Sequence, residues 1–404
     1  MKFTKMSLVA ALLIGSSAFA IENTKVSGDA KLYYDTTSSK LKKDNSSAQA
    51  AISLDMSTDL LENVSAGTKV TALSTLGLEG QLVNNVWEGT NGTTDSWMVN
   101  ELWLATTYGK TTAKIGRMAL DTPLVFSETW SIVANTFEAA VVINQDIPDT
   151  TLVGAYVGGT NSQLVGATAT PNNIGMANVI QGTDKETTFN QFYSGAYAAG
   201  VVNNSFKPLT VQAWYYQASH VTNAYWLQAD LKCQKIEGLL AGIQYSGIDK
   251  ITTPANVVLT DKSSSVYALM LGYEMKDLFT AKVAYSSVDK DAGAGFNLAG
   301  TGQSKLYTEA WWNYGSVTQA DTDSFNITVT SPVNGLFDLG IYYTDADQSA
   351  EAGNNDLTEF TVTATKSFGP LDVTAAIISA DVTDGATNKT TTTNRGQAYL
   401  TLNF

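Results

Sequence analysis

The sequence predicts an all-β fold, a transmembrane antiparallel β-barrel of eighteen strands, with sixteen as the alternative count. Three observations predict it: a period-two alternation that recurs from residue 24 onward, connections that are short and long by turns, and a last strand that stops on the aromatic Phe404. Each segment alone is weak; repetition along the whole chain carries the expectation.

The first twenty residues stand apart from that rhythm. Lys2 and Lys5 precede the apolar run Met6 to Gly15, and Ala18-Phe19-Ala20 supplies a small-x-small cleavage signal. The run is too short to cross a bilayer as a helix. Ile21, not a cysteine, follows the expected cut, so no lipid anchor is expected. The division is therefore a signal peptide at 1–20 and a barrel at 21–404.

The strands follow in order. Val26, Gly28, Ala30, Leu32 and Tyr34 alternate with Ser27, Asp29, Lys31 and Tyr33; Ala50, Ile52, Leu54 and Met56 alternate with Ala51, Ser53 and Asp55. Late in the chain Phe337, Leu339, Ile341 and Tyr343 alternate with Asp338, Gly340 and Tyr342. A period of two sends one set to each face of a strand. Read this way, strands fall near 25–34, 48–57, 64–73, 98–108, 111–118, 136–146, 150–157, 189–200, 209–216, 224–232, 237–246, 265–274, 278–286, 324–331, 336–343, 357–366, 371–380 and 395–404. The run 305–314 (KLYTEAWWNY) also alternates. Counting it as a strand would put the turns at Pro332 and Pro370 on the wrong side, so it is assigned to an outer loop.

Pro148, Pro208, Pro332 and Pro370 all sit in short connections, where a missing N–H costs no ladder bond. Long connections rich in Gly, Asn, Ser, Thr and Asp are expected at 35–47, 74–97, 119–135, 158–188, 217–223, 247–264, 287–323, 344–356 and 381–394. Tight turns on one side and long loops on the other are the asymmetry of a bacterial barrel. The end reinforces it, since Ala398, Leu400, Leu402 and Phe404 share a face and the last strand must close onto the first.

Composition narrows the function classes. The chain has 404 residues and a formal net charge of −14, and losing the leader removes two lysines and no acid. Nucleic acid is excluded as a partner, because phosphates need a basic surface. One cysteine (Cys233) and one histidine (His220) exclude a disulfide framework and a histidine-rich metal site. His220 has no nucleophile motif beside it, and no acid pair has a spacing that marks acid–base work, so no enzyme is expected. No cofactor is expected either, save that Asp345, Asp347, Glu351 and Asp356 form an acidic run that could offer oxygen ligands to Ca²⁺ without a full calcium-loop pattern.

Three blocks are distinctive: Gly116-Arg117-Met118-Ala119-Leu120-Asp121-Thr122-Pro123-Leu124, Asn135-Thr136-Phe137-Glu138-Ala139, and Ile147-Pro148-Asp149-Thr150-Thr151. In these the chain resembles the major outer-membrane porins of epsilonproteobacteria and, more distantly, the OprD-type porins. The resemblance implies an eighteen-stranded barrel, usually trimeric, in which the segment after the fifth strand (119–135) folds inward as a constriction loop. It implies outer-membrane lipid as surroundings and the barrel-assembly machinery as a partner reading Phe404. Arginines are few here, so a lumenal arginine ladder and a preference for basic amino acids are not carried over.

Under that reading the pore constriction is expected to hold Asp121 and Glu128 from the loop, Lys114 and Arg117 from the strand before it, and Glu138 from the strand after. Opposed charges across a narrow aperture orient solutes, and excess carboxylate favours cations. The plainer alternative is that these are solvated loop charges, or that Arg117 and Asp121 form a local pair. Asp29, Lys31, Asp55, Lys69, Asp230, Lys232, Lys282, Asp338, Glu359 and Asp372 are expected on the water-filled side of the wall. The expected function is passive diffusion of ions and small hydrophilic solutes with a cation preference; a secreted or surface β-protein of adhesin or lectin type, built as a sandwich, is the alternative.

Overall fold

The computed structural model describes residues 22–39, 45–74, 96–130, 132–162, 189–252 and 258–404; the expected leader and parts of several long connections lie outside the described residues. The barrel strands are β1 (Glu22–Ser39), β2 (Asn45–Leu61), β3 (Val64–Ser74), β4 (Ser96–Tyr108), β5 (Thr111–Met118), β6 (Phe137–Asn144), β7 (Thr150–Thr160), β8 (Asn190–Asn203), β9 (Leu209–Ala218), β10 (Thr222–Lys232) and β11 (Leu239–Ile248). A small outer hairpin, β12 (Ile251–Thr252) and β13 (Val258–Thr260), interrupts them. The wall resumes with β14 (Ser264–Met275), β15 (Phe279–Val288), β16 (Thr322–Val333), β17 (Phe337–Gln348), β18 (Asp356–Phe368), β19 (Leu371–Asp384) and β20 (Lys389–Asn403).

These form one 18-stranded antiparallel sheet in which each barrel strand pairs with its neighbours in sequence and β1 pairs with both β2 and β20. The ladder closes, with Tyr33 opposite Tyr399 and Asp35 opposite Gln397. Phe404 caps the seam, exchanging backbone hydrogen bonds with Gly28 at 2.7 and 3.0 Å. A closed single sheet leaves no unpaired edge, which is what a lipid environment demands. It also overturns the sandwich alternative, which needs two separate layers.

Each expected strand corresponds to one observed strand. The ends at the short turns agree closely, whereas several strands run farther on the opposite, outer side. Much of the connections expected to be long at 35–47 and 381–394 is strand, because β1 runs to Ser39, β2 begins at Asn45, β19 runs to Asp384 and β20 begins at Lys389. Polar residues on both faces, as in Lys389-Thr390-Thr391-Thr392-Thr393-Asn394, hide a strand that has left the lipid and needs no apolar side.

Burial follows the pleat. Val26, Ile52, Leu102, Leu104, Ile115, Val142, Leu269, Leu271 and Ile377 point outward and are exposed, Ile377 by 71%. In water such a surface would be costly, whereas it is the kind of face that lipid accepts. Tyr156, Tyr197, Tyr225, Tyr245, Tyr267, Tyr285 and Phe325 form an outward aromatic band nearer the outer rim. Tyr33 and Phe137 instead point inward, at 2% and 0% exposure. At the other rim the short turns present Leu61, Tyr108, Ile147, Phe206, Ile236, Leu278, Leu336 and Phe368, all exposed.

The two strands beside the expected constriction segment are the shortest of the wall, β5 and β6 having 8 residues each against 18 in β1. Gly116 in β5 has φ 128, and a Cβ there would lie 2.2 Å from the Leu102 carbonyl oxygen, so only glycine lets β5 press onto β4 at this level. Just beyond it the chain leaves the wall.

Candidate functional site

The resemblance implied an inward turn at 119–135, and the described residues 119–130 and 132–136 lie inside the barrel. Its first part is a tight hairpin: Thr122 N donates to the Val125 carbonyl at 3.1 Å and Ser127 N to that of Leu120 at 2.8 Å. Leu124, Val125 and Phe126 are buried within the barrel, and Leu124 N reaches Tyr216 Oη on β9 at 3.4 Å. Its later part packs Ile132 and Val133 on Leu73 and Met98, in a cluster that includes Tyr33 of β1 on the same stretch of wall.

A second inward segment, 289–321, was not legible as such. It carries the run 305–314, which pairs with no strand yet keeps its alternation: Leu306, Thr308 and Ala310 are buried, while Lys305 and Tyr307 are partly exposed. Periodicity reports one-sided burial, and here the buried side faces the inner wall. The segment is fixed to β11 through Gln244, whose Nε2 donates to the Lys305 carbonyl at 2.9 Å and whose Oε1 accepts from Tyr307 N at 3.0 Å. It is fixed to β18 through Glu359, which accepts from Trp312 N at 2.9 Å and Asn313 N at 2.8 Å. Trp311 lies against Tyr342, and Trp312 lies under the Arg395 guanidinium at 4.8 Å.

The two segments lock together at Glu128. This residue, 3% exposed, accepts from Trp130 Nε1 at 3.1 Å, Asn297 Nδ2 at 3.1 Å, Thr301 N at 2.9 Å and Thr301 Oγ1 at 2.6 Å. A Cβ on Gly300 would come within 2.1 Å of Glu128 Oε1, so glycine is required for this approach. Asn297 also brackets Phe126, and Leu298 N donates to the Leu124 carbonyl at 2.8 Å. A buried carboxylate saturated with donors holds structure and offers little to a passing ion.

The five residues expected to line one aperture are thus dispersed. Lys114 does face the lumen, 3.9 Å from Glu101 and 4.2 Å above the Trp103 ring. Asp121 faces it too, its side chain 88% exposed and ion-paired with Lys305 of the second segment. Glu128 is sequestered between the segments. Arg117 and Glu138 pair at 3.1 Å on the outer face of the wall, since their neighbours Met118, Phe137 and Ala139 are the ones buried inside. They lie two residues beyond the level where Ala140 meets Tyr156, at the aromatic band, where a charge costs little. The spacing held a clue: residues 114 and 117, three apart on a strand, face opposite sides.

The residues expected on the inner face are there by the same alternation, and several are paired. Lys69 lies 3.4 Å from Asp29 and 3.1 Å from Asp55; Lys31 is 3.4 Å from Asp29; Lys232 is 2.9 Å from Glu274. Arg395, which sequence reasoning missed, lies 2.8 Å from Asp35 at the closing seam. Asp230 accepts from Tyr307 and Gln228, and Glu359 from backbone and amide donors. In the inner segment the Glu309 carboxyl is pushed up to about 7 by burial. Among the described residues, no group of three or more His, Cys, Asp or Glu is arranged to hold a metal. Within the acidic outer run, Asp345 accepts from Tyr343 and Thr358.

Against solved structures the architecture matches closely. OccAB1 of Acinetobacter baumannii aligns with a TM-score of 0.76 at 12% identity, over 96% of this chain and 98% of that one. OpdO of Pseudomonas aeruginosa aligns at 0.72 with 11% identity over 95% and 98%, and OpdK of the same organism, solved with vanillate, at 0.69 with 15% over 94% and 99%. The likeness is one of fold. No protein-family model and no curated protein sequence matches the chain. The eighteen-stranded architecture, expected from alternation and from OprD-type resemblance, is therefore shared with the Opd and Occ outer-membrane structures across nearly their full length.

Proposed function

We propose that the chain is an outer-membrane porin of the major-porin type resembled by its Gly116–Leu124 block, through which ions and small hydrophilic solutes diffuse passively and cations pass more readily than anions. The observation that carries the cation preference is the charge of the inner face. Lys31, Lys69, Lys114, Lys232, Lys305 and Arg395 each lie against a carboxylate, whereas Glu128, Asp230 and Glu359 are satisfied by neutral donors alone. The matched pairs cancel at a distance, and the remainder leaves a negative interior that concentrates counter-cations. Lys114 and Asp121 are the two residues of the expected constriction that this reading keeps in contact with solute.

Residence in outer-membrane lipid, assembly as a homotrimer, and recognition of the strand ending at Phe404 by the barrel-assembly machinery belong to the same proposal. Refolded protein in planar bilayers is expected to give stepwise conductance, with a reversal potential in a salt gradient of the sign for cation flow. A protein that inserts but yields no current steps removes the channel reading; steps with an anion-signed potential remove only the preference.

A further inference from the structure

The two inward segments are held together mainly by buried contacts, but one contact between them is of another kind. Lys305 extends from the second segment to the tip of the first, where it meets the Asp121 carboxylate and lies 4.9 Å from the centre of the Phe126 ring. The Lys305 backbone is pinned to β11 by Gln244, and the Asp121 hairpin is pinned by Tyr216, Asn297 and Leu298. Neither anchor depends on the ion pair. The Lys305 side chain is 33% exposed and that of Asp121 88%, so the pair sits in water and is worth only about 0–1 kcal/mol. It adds little stability and opens readily. Segment 119–136 has no lysine or arginine, and 289–321 has only Lys290, near its start, besides Lys305.

We propose that Lys305 is the specificity-determining residue of the channel: a mobile cationic arm that closes on Asp121 of the adjoining segment and masks the one carboxylate that the inward hairpin presents to solute. The inference rests on the channel reading above. When the arm is closed, a solute meets a neutral pair; a permeating cation must compete with Lys305 for Asp121, and a permeating anion competes with Asp121 for Lys305. The arm therefore weakens a preference that the rest of the inner face would make stronger.

The test is the cation-to-anion permeability ratio of single channels in planar bilayers under a potassium chloride gradient. Lys305→Met is expected to raise the ratio by about sevenfold, since one charge met at roughly 7 Å in water carries a Boltzmann weight of about 2.7 that acts in opposite senses on cation and anion. Asp121→Asn is expected to lower it by a similar factor, and the double variant to return near the parent value. Raising the salt should shrink both shifts, because exposed charges are screened. Should Lys305→Met fail to fold, Lys305→Gln carries the same expectation. Shifts of the same sign in both single variants, or none in either, overturn the proposal while leaving the channel intact. A parent protein that passes no current overturns both this proposal and the channel reading.

Discussion

The inner wall on β9–β14 and the short-turn end of the inner wall on β1–β5 are built for opposite purposes. On the first, Trp214, Tyr216, Trp226, Val266 and Ala268 form a hydrophobic core with Leu124, Leu298, Leu306 and Val317 of the inward segments, a globular interior set inside a barrel. On the second, Lys31, Asp29, Lys69 and Asp55 run as a chain of partly exposed ion pairs, with Glu101 and Lys114 beyond them. The difference teaches where the open passage lies: water and solute belong beside the charged wall, because the apolar wall is already covered. Breaking the covered wall should cost most. Trp226→Ala, at a residue with no exposure, is expected to destabilise the barrel by about 3–5 kcal/mol. The midpoint of the heat-induced gel shift should fall sharply, with ion selectivity unchanged in the channels that survive. A selectivity change without a fall in midpoint would show that the core faces the passage.

The complementary change on the charged wall should do the reverse. Lys69→Met frees Asp55 and leaves Asp29 with Lys31 alone, so the permeability ratio should move toward cations. Because Lys69 is 25% exposed and its pairs are solvated, the loss of stability should stay within about 1 kcal/mol. A large fall in midpoint here would mean that this wall too is structural, and the contrast between the two walls would fail.

Sequence reasoning reached these walls unequally. The barrel was legible because lipid on one side and water on the other write a period of two, and that period found every wall strand. It could not find where strands leave the lipid, since Thr390 to Asn394 need no apolar face. Nor could it tell a ladder strand from 305–314, which alternates because it lies on a wall. The first inward segment came from resemblance in the Gly116–Leu124 block; no local pattern marked it. Of its charges, Asp121 and Glu128 look alike in sequence and differ only in what the distant Asn297, Thr301 and Lys305 do to them. Arg117 and Glu138 were assigned to the lumen by proximity in sequence, against the parity of their own strands.

The smallest expected effect lies at the junction of the two regions. Glu309 accepts backbone N–H bonds from Ser304, Ala310 and Gly315, and beside it stands Tyr314, whose hydroxyl also feels Glu128 and Glu359. Among the described residues no cation is paired with this carboxyl, and burial moves it from an ordinary 4.5 up to about 7. A folded-state value above the unfolded one means that its contribution to stability is complete below about 4.5 and is lost as pH rises through about 7. The inward segment should therefore be held most firmly in acid and loosen in mild alkali. Open-channel current noise should grow between about pH 6 and about pH 8, the window in which this group ionises. Glu309→Gln keeps the shape and the acceptor oxygen but cannot ionise, so the noise should stay at its acid level throughout. A pH-dependent noise that persists in this variant would assign the titration to another group and leave the segment's anchorage to Glu128 and Glu359, whose donors surround them on both sides of the contact.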